Sequence, residues 1–237
     1  MRRKWTTLLA VLIASTILVA TAYAGGWAVV TVRDLPEYAV AGKPLRLEFL
    51  VRGAGISPAA GLKPKVAAMS ATGQMNIKAV ETKKEGEYTA TLVIPTPGIW
   101  TIRIDAFGDG DASRWSGSTL PKLAVIAPES SVPTALSPAA AGERLFVAKG
   151  CEVCHISQEE RVAHARELQS LPDVLRRTGL DLSDKHFTQA KLEAFLAHSN
   201  ATFGHDSEAE AWSLPNIGLT RSEIADLTAF FTRDRSR

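Results

Sequence analysis

Hydrophobic and polar positions alternate at period two through the first half of the chain and recur at helical spacing in the second. The segment 27–32 is a short apolar run, and Leu45-Arg46-Leu47-Glu48-Phe49-Leu50-Val51 alternates like a strand with one buried face. Further strands are expected at 65–69, 77–80, 88–94, 100–105 and 122–126. The turn-forming stretches Lys84-Glu85-Gly86-Glu87 and Pro95-Thr96-Pro97-Gly98 stand where the chain must reverse. Seven short strands in roughly a hundred residues predict an all-β immunoglobulin-like sandwich over 25–127, with Tyr88 and Trp100 in its core. Residues 128–138 hold three prolines and three serines without an apolar period, and are expected to be a linker. Beyond them the period is helical. Ser137 is an N-cap before Pro138; Leu192, Phe195 and Leu196 mark an amphipathic helix. Thr220 and Glu223 stand in capping-box relation ahead of Ile224, Leu227, Phe230 and Phe231. The expected fold class is multi-domain, a β-sandwich followed by an all-α domain over 139–237.

The N-terminus changes the charge balance. Arg2, Arg3 and Lys4 precede an apolar run over 8–20 and the small-residue site Ala22-Tyr23-Ala24, which predicts a signal peptide over 1–24 and a periplasmic or extracytoplasmic location. Segment 5–24 is just long enough to cross a bilayer, so an uncleaved membrane anchor is the alternative. Without 1–24 the formal charge falls from +2 to −1, and no basic aromatic patch remains for nucleic acid. Residues 25–127 carry 12 basic and 9 acidic groups, whereas 128–237 carry 12 and 16. An acidic second half suits a basic docking surface on a redox partner protein.

The chemistry is concentrated in Cys151-Glu152-Val153-Cys154-His155, which contains both cysteines of the chain. Two thiols spaced to meet the two vinyl groups of a haem, followed at once by an imidazole for the iron, form the c-type haem attachment pattern. A CxxC redox pair would be expected beside a βαβ pattern, and a structural zinc site would recruit further Cys or His nearby; neither context is present. The expected cofactor is one covalent haem c on Cys151 and Cys154, with His155 as axial ligand.

Gly142-Glu143-Arg144-Leu145-Phe146, the haem-binding pentapeptide, Leu171-Pro172-Asp173-Val174 and Leu214-Pro215-Asn216-Ile217-Gly218-Leu219-Thr220 resemble class I monohaem cytochromes c over 139–237. The resemblance implies that Gly142 permits close crossing with Phe230. It also implies that the carbonyl of Pro172 accepts the Nδ1 proton of His155, although Leu171 replaces the usual glycine. Leu214 stands where the family places a methionine ligand, so the sixth position is open, water-filled or taken by a histidine, with His205 the leading substitute ahead of His164, His186 and His198. The first half resembles YtkA/FixH-like β-domains through the segment 35–45, the turn Gly61-Leu62-Lys63-Pro64, Gly86-Glu87-Tyr88 and Pro97-Gly98-Ile99-Trp100. Some of that group handle copper. Residues 25–127 contain no Cys or His, however, and Met69 and Met75 are expected to serve packing.

The expected function is electron transfer by a periplasmic c-type cytochrome, with the β-domain as docking module. A haem-based binder or sensor of NO or CO is the rival, motivated by the missing methionine. A peroxidase-like enzyme and a metal-delivery module are weaker alternatives. No nucleophile–base pair, phosphate loop or paired-carboxylate motif supports a hydrolase.

Overall fold

A computed structural model of the protein describes residues 28–53, 55, 57–108, 117–153, 189–197 and 217–232. One sheet contains β1 (Ala28–Val32), β3 (Pro44–Gly53), β8 (Glu87–Val93) and β7 (Val80–Glu81) in that order, with β4 (Ser57–Pro58) beside β3. The other runs β2 (Tyr38–Val40), β11 (Leu123–Ile126), β9 (Gly98–Asp105), β5 (Lys65–Ser70) and β6 (Gly73–Lys78), with β10 (Gly117–Thr119) beside β9. Among the described residues three helices follow: α1 (Pro138–Ala148), α2 (Gln189–Ala197) and α3 (Arg221–Thr232), with a 3-10 turn at Cys151–Val153.

Period two builds the core. Leu45, Leu47, Phe49 and Val51 of β3 point inward; the first three meet Leu92, Ala90 and Tyr88 of β8 in antiparallel register, and Val51 pairs with Val30 of β1. Phe49 and Tyr88 stack with ring centroids 5.9 Å apart. Val66, Ala68, Trp100, Ile102, Ile104, Leu123 and Val125 close the core from the second sheet. The buried Tyr88 hydroxyl donates to the Ala59 carbonyl at 2.8 Å and accepts from the Leu62 amide at 3.0 Å, while Trp100 donates its indole proton to the Thr96 carbonyl at 3.1 Å.

β1 departs from alternation because both its faces are covered. Ala28, Val30 and Val32 enter the sandwich core; Val29 and Thr31 face outward, yet are equally buried, under Gly150 and Lys149 at the end of α1. Gly142 of α1 lies so close to α3 that a Cβ there would meet the Asp226 carbonyl and stand 2.8 Å from the Phe230 Cβ. Phe146 packs on Phe230 and Phe231 at 5.6 and 5.9 Å. Leu192, Phe195, Leu196 and Leu227 complete a small apolar cluster between the helices.

Two expectations are corrected. The strand expected at 77–80 is two strands, because the chain passes from one sheet to the other at Ala79; β2, β4 and β10 are short and exist through pairing rather than pattern. More broadly, the expected pair of an immunoglobulin-like sandwich and a separate all-α cytochrome c domain is replaced by a predominantly β structure of two sheets. Among the described residues, three short helices stand in place of the all-α domain. The physical reason is that a helical period marks an apolar face without saying what covers it, and Arg144 of α1 and Lys149 at its end hydrogen-bond to segments flanking the strands.

Gly142→Ala should force α1 and α3 apart at a point where backbone cannot yield, costing about 1–3 kcal/mol. Thermal melts followed by circular dichroism should show Tm falling by several degrees.

Candidate functional site

The helix α1 ends against the outer face of β1 and delivers Cys151 there. Ser137 caps its start, its hydroxyl accepting from the Ala140 amide. At its end, the Lys149 amide donates to the Leu145 carbonyl at 2.8 Å and the Gly150 amide to Val147 at 2.9 Å. Gly150 has φ 75°, and a Cβ there would lie 2.6 Å from both Val29 Cγ1 and the Val30 carbonyl oxygen, so this position requires glycine for conformation and for space. Cys151 follows, partly buried, and Val153 is buried.

A buried polar network holds this turn. The Thr31 hydroxyl donates to the Lys149 carbonyl at 3.0 Å and accepts from Arg52 Nη2 at 2.9 Å; Arg52 Nη1 donates to the Gly55 carbonyl at 2.7 Å. Lys149 is only 2% exposed, and its ammonium donates to the Arg33 carbonyl at 2.7 Å and pairs with Glu223 Oε1 at 2.6 Å. The other Glu223 oxygen accepts from the Thr220 amide at 2.8 Å, and the Thr220 hydroxyl accepts from the Glu223 amide at 3.3 Å, which completes the expected capping box. One carboxylate thus caps α3 and neutralises a cation on the sheet. Removing either member of such a buried pair typically costs about 3–5 kcal/mol, because the other charge is left without compensation.

Arg144 makes a second fastening nearby. It donates to the Lys122 carbonyl and to the Pro36 carbonyl, both at 2.7 Å, and burial lowers its pKa against the opposing influence of Glu37. Asp226 has its pKa raised, first by burial and then by Glu223 and Glu37.

Of the sequence-predicted residues, the structure places Cys151 in this junction and brings Gly142 together with Phe230. Cys154, His155, Pro172, His205, Leu214, His164, His186 and His198 lie outside the described residues. Met75 pairs with Ala68 across β5 and β6 and packs on the core; Met69 pairs with Gln74 on the opposite face. The two thioethers therefore face different sides of one sheet and do not converge. Thr31, Arg52 and Lys149 were not singled out by pattern. Their signal was a polar residue in each apolar context: Thr31 within Val-Val-Thr-Val, Arg52 after Phe-Leu-Val, and Lys149 at the end of an apolar helix.

The described residues contain one cysteine, and among them no group of three or more His, Cys, Asp or Glu side chains is placed to hold a metal ion. No protein-family model and no curated protein matches the chain. The resemblances to class I cytochromes c and to YtkA/FixH-like domains are accordingly corrected: among the described residues, what is present is a two-sheet β structure with three short helices.

Among solved structures, the chain is similar over 43% of its length to a β-glucosidase from Listeria innocua in complex with glucose, with 12% identity and TM-score 0.29, spanning 16% of that chain. Over 43% it is similar to the CARDB domain of PF1109 from Pyrococcus furiosus in complex with di-metal ions, with 14% identity and TM-score 0.28, covering 94% of that domain. Over 46% it is similar to a superoxide reductase (neelaredoxin) from Ignicoccus hospitalis, with 11% identity and TM-score 0.26, covering 86% of it. Similarity this low says nothing of the activity of this chain.

The raised pKa of Asp226 gives a pH signature. Folding favours its protonated form, so that contribution is complete below the ordinary carboxylate pKa of about 3.9 and is lost as pH rises through the higher folded value. Asp226→Asn should therefore melt about a degree above wild type at pH 7, a small effect because solvent screens a partly exposed group. The difference should vanish in melts below about pH 3.5.

Proposed function

We propose that this is an exported electron-transfer protein carrying one covalently bound haem on Cys151 and Cys154, with His155 as axial ligand to the iron. The sequence Cys151-Glu152-Val153-Cys154-His155 carries the proposal, since it sets both thiols of the chain and an imidazole within five residues. The signal-like segment 1–24 supports export to the compartment where such attachment occurs, and leaves an anchored form as the alternative. Among the described residues, no helix is long and apolar enough to cross a membrane.

Two thiols and an imidazole in five consecutive residues are the donor types that covalent haem attachment requires. The Cys151 thiol lies on a turn that is partly open to solvent, while Val153 is buried beside it. A bound haem supplies reversible one-electron chemistry at iron. Cys151 and Cys154 would hold it by thioether bonds, and a ring nitrogen of His155 would serve the metal as ligand. The acidic balance of 128–237 favours a redox partner with a basic docking surface.

A second reading, binding of a small ligand such as NO or CO, is favoured by one observation. All three methionines precede the attachment sequence, and the two described, Met69 and Met75, belong to the sheet. A haem bound there would lack a methionine ligand and would either bind an external ligand or take a histidine, with His205 the leading substitute.

Protein matured in a host that attaches haem should give a haem-staining band on a denaturing gel, and the double variant Cys151→Ala, Cys154→Ala should lose it. An unstained wild-type band overturns the proposal. Addition of CO to the reduced protein separates the two readings: a shifted Soret band favours ligand binding, and His205→Ala should create or enlarge that shift if His205 occupies the iron.

A further inference from the structure

We propose that Thr31 is a positioning residue for the attachment turn, so that the β-sheet, through β1, sets where Cys151 lies. This rests on the proposed haem attachment for its purpose, but its geometry stands without haem. The hydroxyl of Thr31 has one proton and gives it to the Lys149 carbonyl, two residues before Cys151; its lone pairs receive Arg52 Nη2, itself fixed by the Gly55 carbonyl. Thr31 is 2% exposed, so water cannot replace either bond. On the neighbouring position of the strand, Val29 and the Val30 carbonyl meet Gly150. Lys149 adds the third hold, reaching the Arg33 carbonyl on the segment that follows β1. Every residue between α1 and Cys151 is therefore gripped by β1 or its continuation, and the sheet acts on the turn directly rather than through the helical cluster. The β structure thus becomes part of the frame that would orient a group bound at Cys151, in addition to any docking role.

Thr31→Val keeps the shape and removes both hydrogen bonds; Thr31→Ser keeps the hydroxyl. In the full-length, haem-free chain carrying Cys154→Ala, Cys151 is the sole thiol, and its alkylation by iodoacetamide at fixed pH reports how far the turn exposes a thiol that is partly buried while the turn is held. Thr31→Val should react about five- to tenfold faster than its parent, the factor expected when a buried hydrogen bond is lost. Thr31→Ser should react at the parent rate. Leu92→Ala loosens the sandwich core away from the turn and should also leave the rate unchanged. In haem-loaded protein, Thr31→Val should change the Soret circular dichroism and the midpoint potential, and Thr31→Ser should restore both. Parent-rate alkylation in Thr31→Val, or equal acceleration by Leu92→Ala, overturns the inference. Faster alkylation in a chain whose wild type never stains for haem upholds the clamp and defeats the haem reading alone.

Discussion

The outer face of β1 is the constraint on which the rest depends. An edge strand ordinarily turns one face and one row of backbone groups toward water. Here Val29 and Thr31 are covered, and the cover is a lysine and a glycine at a helix end. Burying an ammonium is tolerable only where strong acceptors surround it. Lys149 finds a backbone carbonyl on the sheet side and the Glu223 carboxylate on the helix side. Because Glu223 also closes the α3 capping box, the start of α3, the end of α1 and the edge of the sheet meet at one cation. A displacement of any of the three would leave a buried charge without its partner.

This arrangement sets an order of dependence. The sandwich core draws large side chains from both sheets and includes none from the described helices. Among the described residues, the helical cluster has four buried apolar side chains and leans on Leu145, Phe146, Leu219, Ile224 and Phe231 at its margin. It is also held by Arg144 on Pro36 and Lys122, by Lys149 on Arg33 and by Thr31 on the Lys149 carbonyl. Arginine suits the first task because one planar guanidinium reaches two carbonyls on separate segments.

The period-two pattern was legible wherever one strand face is buried: β3, β8 and β9 fall within a few residues of the expected segments, and Tyr88 and Trp100 are core residues as the pattern implies. β2 was not legible, since three residues paired in parallel with β11 leave no periodic trace. Helix starts at Ser137 and Thr220 were readable because a cap is local chemistry between residues three apart. The class of the second half was not, because helical period says that a face is apolar without saying what covers it. The cover proved to be partly a sheet. The Thr31–Lys149 bond spans 118 positions, a separation no local pattern encodes.

The same distance argument explains why the attachment turn could be recognised from five residues while its setting could not. Cysteine spacing is a covalent requirement and is written in consecutive positions. Orientation is a tertiary property, and at this turn it is fixed by Gly150. A residue with φ 75° redirects the chain out of α1, and the absence of a side chain lets β1 approach to the backbone. Any other residue there would be strained in conformation and would collide with Val29 and Val30. The direction in which the chain leaves α1 at Cys151 is therefore decided by a strand more than a hundred residues earlier, which makes the β structure a determinant of the site and not merely its neighbour.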